Sequence, residues 1–381
     1  MQIKTLYPIA ILLLVLVSCK ERYYPQFQTT PTGYLVVEGI LNAGNEPTLL
    51  TISRTFPMSG EGGLVFETGA MVTVEGSDQS AKPLTMTSPG NYQNNNLNLS
   101  AANEYRVRIR TTDGKEYLSD FSKVKITPPI DSIGYKANED GVEIYVNTQD
   151  PTNNTIYYRW DFDETWQINS MYESMLIFDP GVAPPVRPRI LPDEQITRCW
   201  KNDRSRSLLF ASSAKLSSDI IYQKPIQFIA NGSEKLSALY SIMLRQYSMD
   251  KRAYEFFDLM KKNTESIGTV FDPQPSEIRG NIKCLSDPSE IVIGYISATT
   301  VERKRVFISR PAGWNFFQSC ETVVVGPDSA AHYFGNNIYV PISEQPDENN
   351  PAIISYQSGT PECVDCRARG GATTKPIFWP N

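Results

Sequence analysis

Apolar and polar residues alternate with a period of two over much of the chain, and runs with helical spacing are scarce. The clearest case is residues 105–110, where Tyr105, Val107 and Ile109 alternate with Arg106, Arg108 and Arg110. Successive side chains of an extended strand point to opposite faces, so one set meets a core and the other meets water. Asp113-Gly114 follows, a pair that tolerates the positive φ of a tight hairpin, and residues 116–126 return along the first run. Upstream, residues 34–41, 48–55, 70–75 and 84–87 are short runs rich in Val, Ile, Thr and Leu, set off by Gly, Pro, Asn and Ser, and each predicts a strand. About seven strands within residues 33–127 predict a small immunoglobulin-like β-sandwich.

Thr127-Pro128-Pro129 interrupts the alternation. Two prolines remove two ladder donors and hold an extended link, which puts a domain boundary there and makes 128–381 a larger β-rich second domain. Strands are predicted at 132–136, 141–147 and 157–166, the last with Tyr158, Trp160 and Phe162 on one face and Arg159, Asp161 and Asp163 on the other. A stretch at 179–192 with five prolines and no period reads as a long surface loop or a partner-facing arm. One amphipathic helix is inserted near 249–262, where Ala253, Phe256, Phe257 and Met260 form a stripe at i, i+3, i+4 and i+7. Ser248 is its expected N-cap, Asp250 suits the positive end of its dipole, Lys261 and Lys262 suit the negative end, and Asn263 closes it. Strands resume at 290–298 and 303–310, and from residue 311 a Gly-, Pro- and Asn-rich stretch predicts an irregular C-terminal tail wrapped on the second domain. The fold class is therefore mainly β, consistent with 20 tyrosines and 16 phenylalanines.

The N-terminus breaks this pattern. Lys4 and the free amine precede an apolar run at 9–17, too short to span a bilayer, which ends in Leu16-Val17-Ser18-Cys19. This is the arrangement of a lipoprotein signal over residues 1–18, with Cys19 as the lipidation site. A diacylglyceryl thioether with an N-acyl group supplies more than one chain, and so a stable membrane anchor. Residues 19–32, with Tyr23-Tyr24-Pro25 and Pro31, read as an extended lipidated tether. The formal charge of −6 becomes −7 once Lys4 leaves with the signal. That balance disfavours a nucleic-acid partner, which needs a basic stripe. Arg303-Lys304-Arg305 is the one dense basic cluster, and beside Glu302 at the mouth of an apparent hairpin it reads as a solvated turn.

Candidate chemistry is sparse. His332 is the only histidine and has no Ser or Cys motif near it, and the chain carries no G-x-S-x-G elbow, Walker loop or dinucleotide loop, so no catalytic residue is assigned and the chain is expected not to be an enzyme. Asp161, Asp163 and Glu164 lack the glycine turn and further oxygen ligands of a calcium loop and read as a solvated strand face, so no metal and no cofactor is predicted. Trp160, Trp166 and Trp200 are candidates for stacking on a glycan or peptide ligand, against the commoner role of a strand aromatic in the core. With Cys19 acylated, Cys199, Cys284, Cys320, Cys363 and Cys366 remain as disulfide candidates in an envelope compartment. Five thiols allow at most two bridges in fifteen arrangements, which spacing does not rank.

Arg252-Ala253-Tyr254-Glu255-Phe256-Phe257, then Phe271-Asp272-Pro273-Gln274-Pro275, Gly280-Asn281-Ile282 and Ile293-Gly294-Tyr295, resemble Bacteroidota domain of unknown function family 4249. Cys363-Val364-Asp365-Cys366-Arg367, Gly370-Gly371 and Lys375-Pro376-Ile377-Phe378-Trp379 are similar to that family's usual ending. The resemblance implies an outer-membrane lipoprotein, commonly encoded beside a TonB-dependent transporter, with no established catalytic activity. Asp131-Ser132-Ile133 and Asp328-Ser329-Ala330 match the Asp-Ser/Thr-apolar pattern of O-glycosylation in Bacteroidota envelope proteins, at Ser132 and Ser329. The expected role is accessory capture of substrate for, or docking on, such a transporter at the cell surface. The alternative is a structural or adhesive surface lipoprotein without a transport role.

Overall fold

The computed structural model describes residues 33–56, 65–265, 278–314, 316–346, 350 and 354–380. Cys19 with its signal and tether, and the motif at 271–275, lie outside the described residues.

The chain is mainly β, as its residue usage predicts. Strands β1 (Leu35–Gly39), β2 (Leu41–Asn42), β3 (Thr48–Arg54), β4 (Val65–Phe66), β5 (Met71–Gly76), β6 (Ala81–Ser88), β7 (Asn91–Asn94), β8 (Glu104–Arg110), β9 (Glu116–Ser119) and β10 (Ser122–Lys123) build the first body. Seven of them hydrogen-bond in the order β9-β8-β5-β6-β7-β3-β1, with β10 beside β8 and β4 beside β3. The alternation in β8 does what its period demands. Tyr105, Val107 and Ile109 are buried with Val37, Ile52 and Val74, while outside Arg106 and Arg108 share the carboxylate of Glu75 at 2.8 and 2.5 Å.

The second body opens with β11 (Ile130–Ala137), β12 (Gly141–Gln149), β13 (Tyr157–Asn169), β14 (Leu176–Phe178), β15 (Val186–Pro188), β16 (Arg198–Arg204), β17 (Leu209–Ser212), β18 (Ile220–Ala230) and β19 (Leu239–Met249). Strands β11, β12 and β18 form one sheet, which packs Val142, Ile144 and Val146 against Tyr158 and Trp160 of β13. The proline-dense stretch is not one long loop. β14 and β15 pair across it, and Arg187 fastens it by binding both Asp179 and Glu194 at 2.8 Å. The helix α1 (Lys251–Glu265) follows, with Ala253 and Phe256 buried against Tyr295. Its N-terminal donor is satisfied by Asp250, whose carboxylate accepts from the Ala253 N–H at 2.7 Å, and not by Ser248. Ser248 is occupied elsewhere, because its N–H and hydroxyl both meet Thr127 Oγ1, at 3.0 and 3.1 Å.

Past α1 the chain crosses back. β20 (Ile282–Cys284) pairs with β9, β21 (Val292–Ile293) lies parallel to β1, and β22 (Ala298–Thr299) lies parallel to β2. A single cut after Thr127 therefore does not separate the two bodies. The edges of β1 and β9 present unpaired backbone groups that need partners, and residues 282–299 supply them. β23 (Val301–Ser309) then completes a sheet of order β16-β13-β19-β23, with β17 alongside β13.

The tail is also more regular than its composition suggests. β24 (Thr322–Val325), α2 (Pro327–Gly335), β25 (Val340–Pro346), β26 (Ile354–Gly359) and α3 (Pro361–Val364) give it a sheet and a second amphipathic helix, which buries Ala330 and Phe334. Both α2 and α3 start on a proline, which costs a helix nothing in its first turn, so a proline-rich composition does not make the tail irregular. Disulfides join Cys199 to Cys366 and Cys320 to Cys363, while Cys284 is free and buried in the first body.

Candidate functional site

The register of the β16-β13-β19-β23 sheet lines up charged residues in rows on its outer face. Arg204, Asp163, Met243 and Arg305 make one row, Asp161, Arg245 and Arg303 the next, and Arg159, Tyr247 and Val301 the one after. Tyr158, Trp160 and Phe162 alternate with these residues on β13 and fill the core, so packing on one face fixes the position of the charges on the other.

Arg245 is the centre of this face. Its side chain is 8% exposed, and its guanidinium binds Asp161 through Nε and Asp163 through Nη1 and Nη2. Burial works against its charge, but the two carboxylates outweigh that and hold its pKa above the ordinary arginine value. Burial likewise disfavours the Asp163 carboxylate, yet Arg245 and Arg204 keep its pKa below the ordinary value. Arg204 Nε reaches Asp163 at 3.0 Å, and the Tyr247 hydroxyl donates to Asp161 at 2.8 Å. Burial first, and the Asp161 charge second, push the Tyr247 hydroxyl up to about 12. Arg159 lies over the rings of Tyr247 and Phe257, with its guanidinium carbon 4.7 and 5.0 Å from their centroids. Arg305 donates to Ser241 Oγ at 2.9 Å and lies 3.5 Å over the ring of Phe378.

Part of this face is the floor of a cleft of about 700 Å³ between the two bodies. The first body contributes Glu38, Asn42, Glu46 and Gln93 to its wall, and Glu46 pairs with Arg303 across it. Guanidinium forks match planar oxyanions, and the carboxylates beside them accept hydroxyl protons, so the cleft suits a polar ligand that carries both kinds of group.

The other sequence candidates lie apart from this floor or beneath it. Trp160, Trp166 and Trp200 are 1, 9 and 7% exposed, too buried to offer a ring to a ligand. Trp160 and Trp166 point inward from β13, and the outward Trp200 is capped by the C-terminal segment, with Trp379 edge-on at 6.3 Å. Glu164 faces the core and binds Lys235 and Tyr240, so it does not join Asp161 and Asp163 in a metal set. His332 is exposed on α2, with the Tyr333 ring 5.1 Å away. Ser132 is exposed on β11 and accepts from Asn147 at 2.8 Å, whereas Ser329 donates to the Gly326 carbonyl in the first turn of α2.

Arg303-Lys304-Arg305 is not a solvated turn. It lies within β23, where Arg303 and Arg305 face the polar strip and Lys304 faces the other way, its Nζ capping the carbonyls of Ile130 and Asp131 at 3.0 and 2.6 Å. The alternation of Arg303, Arg305 and Phe307 with Lys304, Val306 and Ile308 carries that signal in the sequence.

The family model described as Domain of unknown function (DUF4249) matches residues 20–305. The match takes in the first body, α1 and the strip as far as Arg305. No curated protein matches the chain.

Proposed function

Because this chain belongs to the DUF4249 family, we propose that it is a non-enzymatic, lipid-anchored outer-membrane protein facing the cell surface, which captures ligand for a TonB-dependent transporter on which it docks. The observation that carries the capture role is the cleft floor, where Asp161 and Arg245 lie beside the first body and Arg245 is held in place by Asp161 and by Asp163 next to the cleft. Such a surface is preorganised for binding, since its side chains are already held before a ligand arrives. The lipid signal ending at Cys19 supports the address. Two disulfides in the second body suit an oxidising envelope compartment.

The test is purification of the full chain from detergent-solubilised membranes of its own host after palmitate labelling. Label at Cys19 and co-purification of an outer-membrane barrel are the expected results. A labelled chain recovered without any barrel, from cells whose nutrient uptake is unchanged when the gene is deleted but whose attachment is impaired, would instead favour an adhesive role. A chain that takes up no palmitate would overturn the membrane address.

A further inference from the structure

The strip holds two cations that its own carboxylates leave unpaired. Arg159 and Arg305 each stack on aromatic rings, and neither forms an ion pair among the described residues. Their neighbours Arg204, Arg245 and Arg303 all have carboxylate partners. A guanidinium withdrawn from water without a direct ion pair is costly, and burial pulls the Arg305 pKa below its ordinary value, a fall that the charge of Asp163 offsets only in part. The ring beneath each one covers a face of the guanidinium and leaves edge N–H groups for a second partner, which is the geometry that grips a planar oxyanion.

We infer that Arg159 and Arg305 are the two anion-binding ends of one extended ligand site, and that the ligand is an acidic oligosaccharide whose carboxylates sit at these ends. The register puts the two residues two strands and four positions apart, roughly 16 Å by strand geometry. On the diagonal between them lies Arg245, already tied to Asp161 and Asp163 on the β13 side, and these two carboxylates would repel a peptide acidic at every residue. Sugar hydroxyls meet no such objection, because they donate to those carboxylates, which are 30 and 42% exposed. A ligand with separated acid groups and hydroxyls between them fits two unpaired guanidinium groups set apart on a face that also presents Asp161 and Asp163.

This inference rests on the capture role proposed above and assigns its ligand class. It is tested with the purified full chain in detergent, titrated calorimetrically at low salt with oligogalacturonate, with maltohexaose and with a glutamate oligopeptide. Oligogalacturonate is expected to bind, to weaken as salt rises, and to lose about tenfold in affinity in each of Arg159→Gln and Arg305→Gln. Maltohexaose and the glutamate oligopeptide are expected to bind at least about tenfold more weakly than oligogalacturonate. The His332→Ala variant, on α2, keeps wild-type affinity, and circular dichroism of the arginine variants shows that they remain folded. The assignment is overturned if oligogalacturonate does not bind, if it binds folded Arg159→Gln and Arg305→Gln as tightly as wild type, or if the glutamate oligopeptide binds equally well. No barrel is present in this titration, so its failure removes the acidic-sugar assignment alone. Failure of co-purification is what removes docking on a transporter.

Discussion

Cys199 and Cys366 are joined by a disulfide that closes a separation of 167 residues and fixes the C-terminal segment onto β16, where Trp200 and Ala372 exchange backbone hydrogen bonds. The Cys320–Cys363 bond closes a separation of 43 residues over the β24-β26-β25 sheet. Cross-links across long loops restrict the unfolded chain most, so the paired Cys199→Ser and Cys366→Ser change should cost about 3–5 kcal/mol in urea unfolding. The Cys284→Ser change removes no bond, and its cost should be smaller. Mass spectrometry of the alkylated protein should show two bonds and one free thiol at Cys284; a different pairing would contradict this arrangement.

Arg245 holds Asp161 and Asp163 together, and without it two carboxylates face each other in rows of one sheet. Arg245→Met should therefore destabilise the chain by about 2 kcal/mol, less than a fully buried pair would cost because Asp161 and Asp163 are 30 and 42% exposed. Removing all three charges together, with Asp161→Asn and Asp163→Asn added, should recover most of that loss. Equilibrium denaturation of the single and triple variants measures both effects, and a triple variant weaker than the single one would contradict the repulsion argument.

Tyr117, Tyr158, Tyr240, Tyr247 and Tyr295 all have pKa values raised above the ordinary 10.0, by burial first and then by a facing carboxylate, respectively Glu290, Asp219, Glu164, Asp161 and Asp250. Raised values mean that the folded chain keeps these protons after the unfolded chain has lost them. Their contribution to stability is thus complete below about pH 10 and falls as pH rises beyond it, through about 12 for Tyr247. Tyrosinate absorbance should rise gradually with the exposed tyrosines, then sharply as the chain unfolds in alkali. Asp161→Asn removes the charge beside Tyr247 and should bring its ionisation to lower pH.

How much of this was legible depended on how local the cause is. β8 and β13 declare themselves, since alternation along one strand follows from one buried face. β23 does too, but Lys304 puts a third cation between Arg303 and Arg305 and hides the two faces under one basic cluster. The strip also needs register across four strands, and nothing local says that Arg245 will sit beside Asp161 and Asp163. The helix cap is hidden for a related reason: Ser248 and Asp250 are both good caps, and a contact from Thr127 decides between them. The tail is less legible because proline and glycine commonly signal loops, whereas Pro327 and Pro361 begin helices. The disulfide pairing rests on distances that spacing does not encode.

The motifs at 280–282 and 293–295 have a steric cause that can be tested. Gly294 has φ +148°, and a Cβ there would come 2.2 Å from the Val37 carbonyl oxygen; one on Gly280 would come 1.5 Å from the carbonyl oxygen of Gly294. Between them, Asn281 brackets Ile296, accepting from its N–H and donating to its carbonyl at 2.8 Å each. These glycines let the returning segment lie flat on β1, the contact that joins the second half of the chain to the first body. Gly294→Ala must push β1 and β21 apart as well as strain its own backbone, so it should cost about 3 kcal/mol or more. Gly114 provides the comparison, since at φ +86° a Cβ would meet nothing within 4 Å. Gly114→Ala should then cost only the conformational strain, about 1 kcal/mol. Urea midpoints for the two variants should differ in that order, and equal losses would show that the close approach to Val37 contributes nothing.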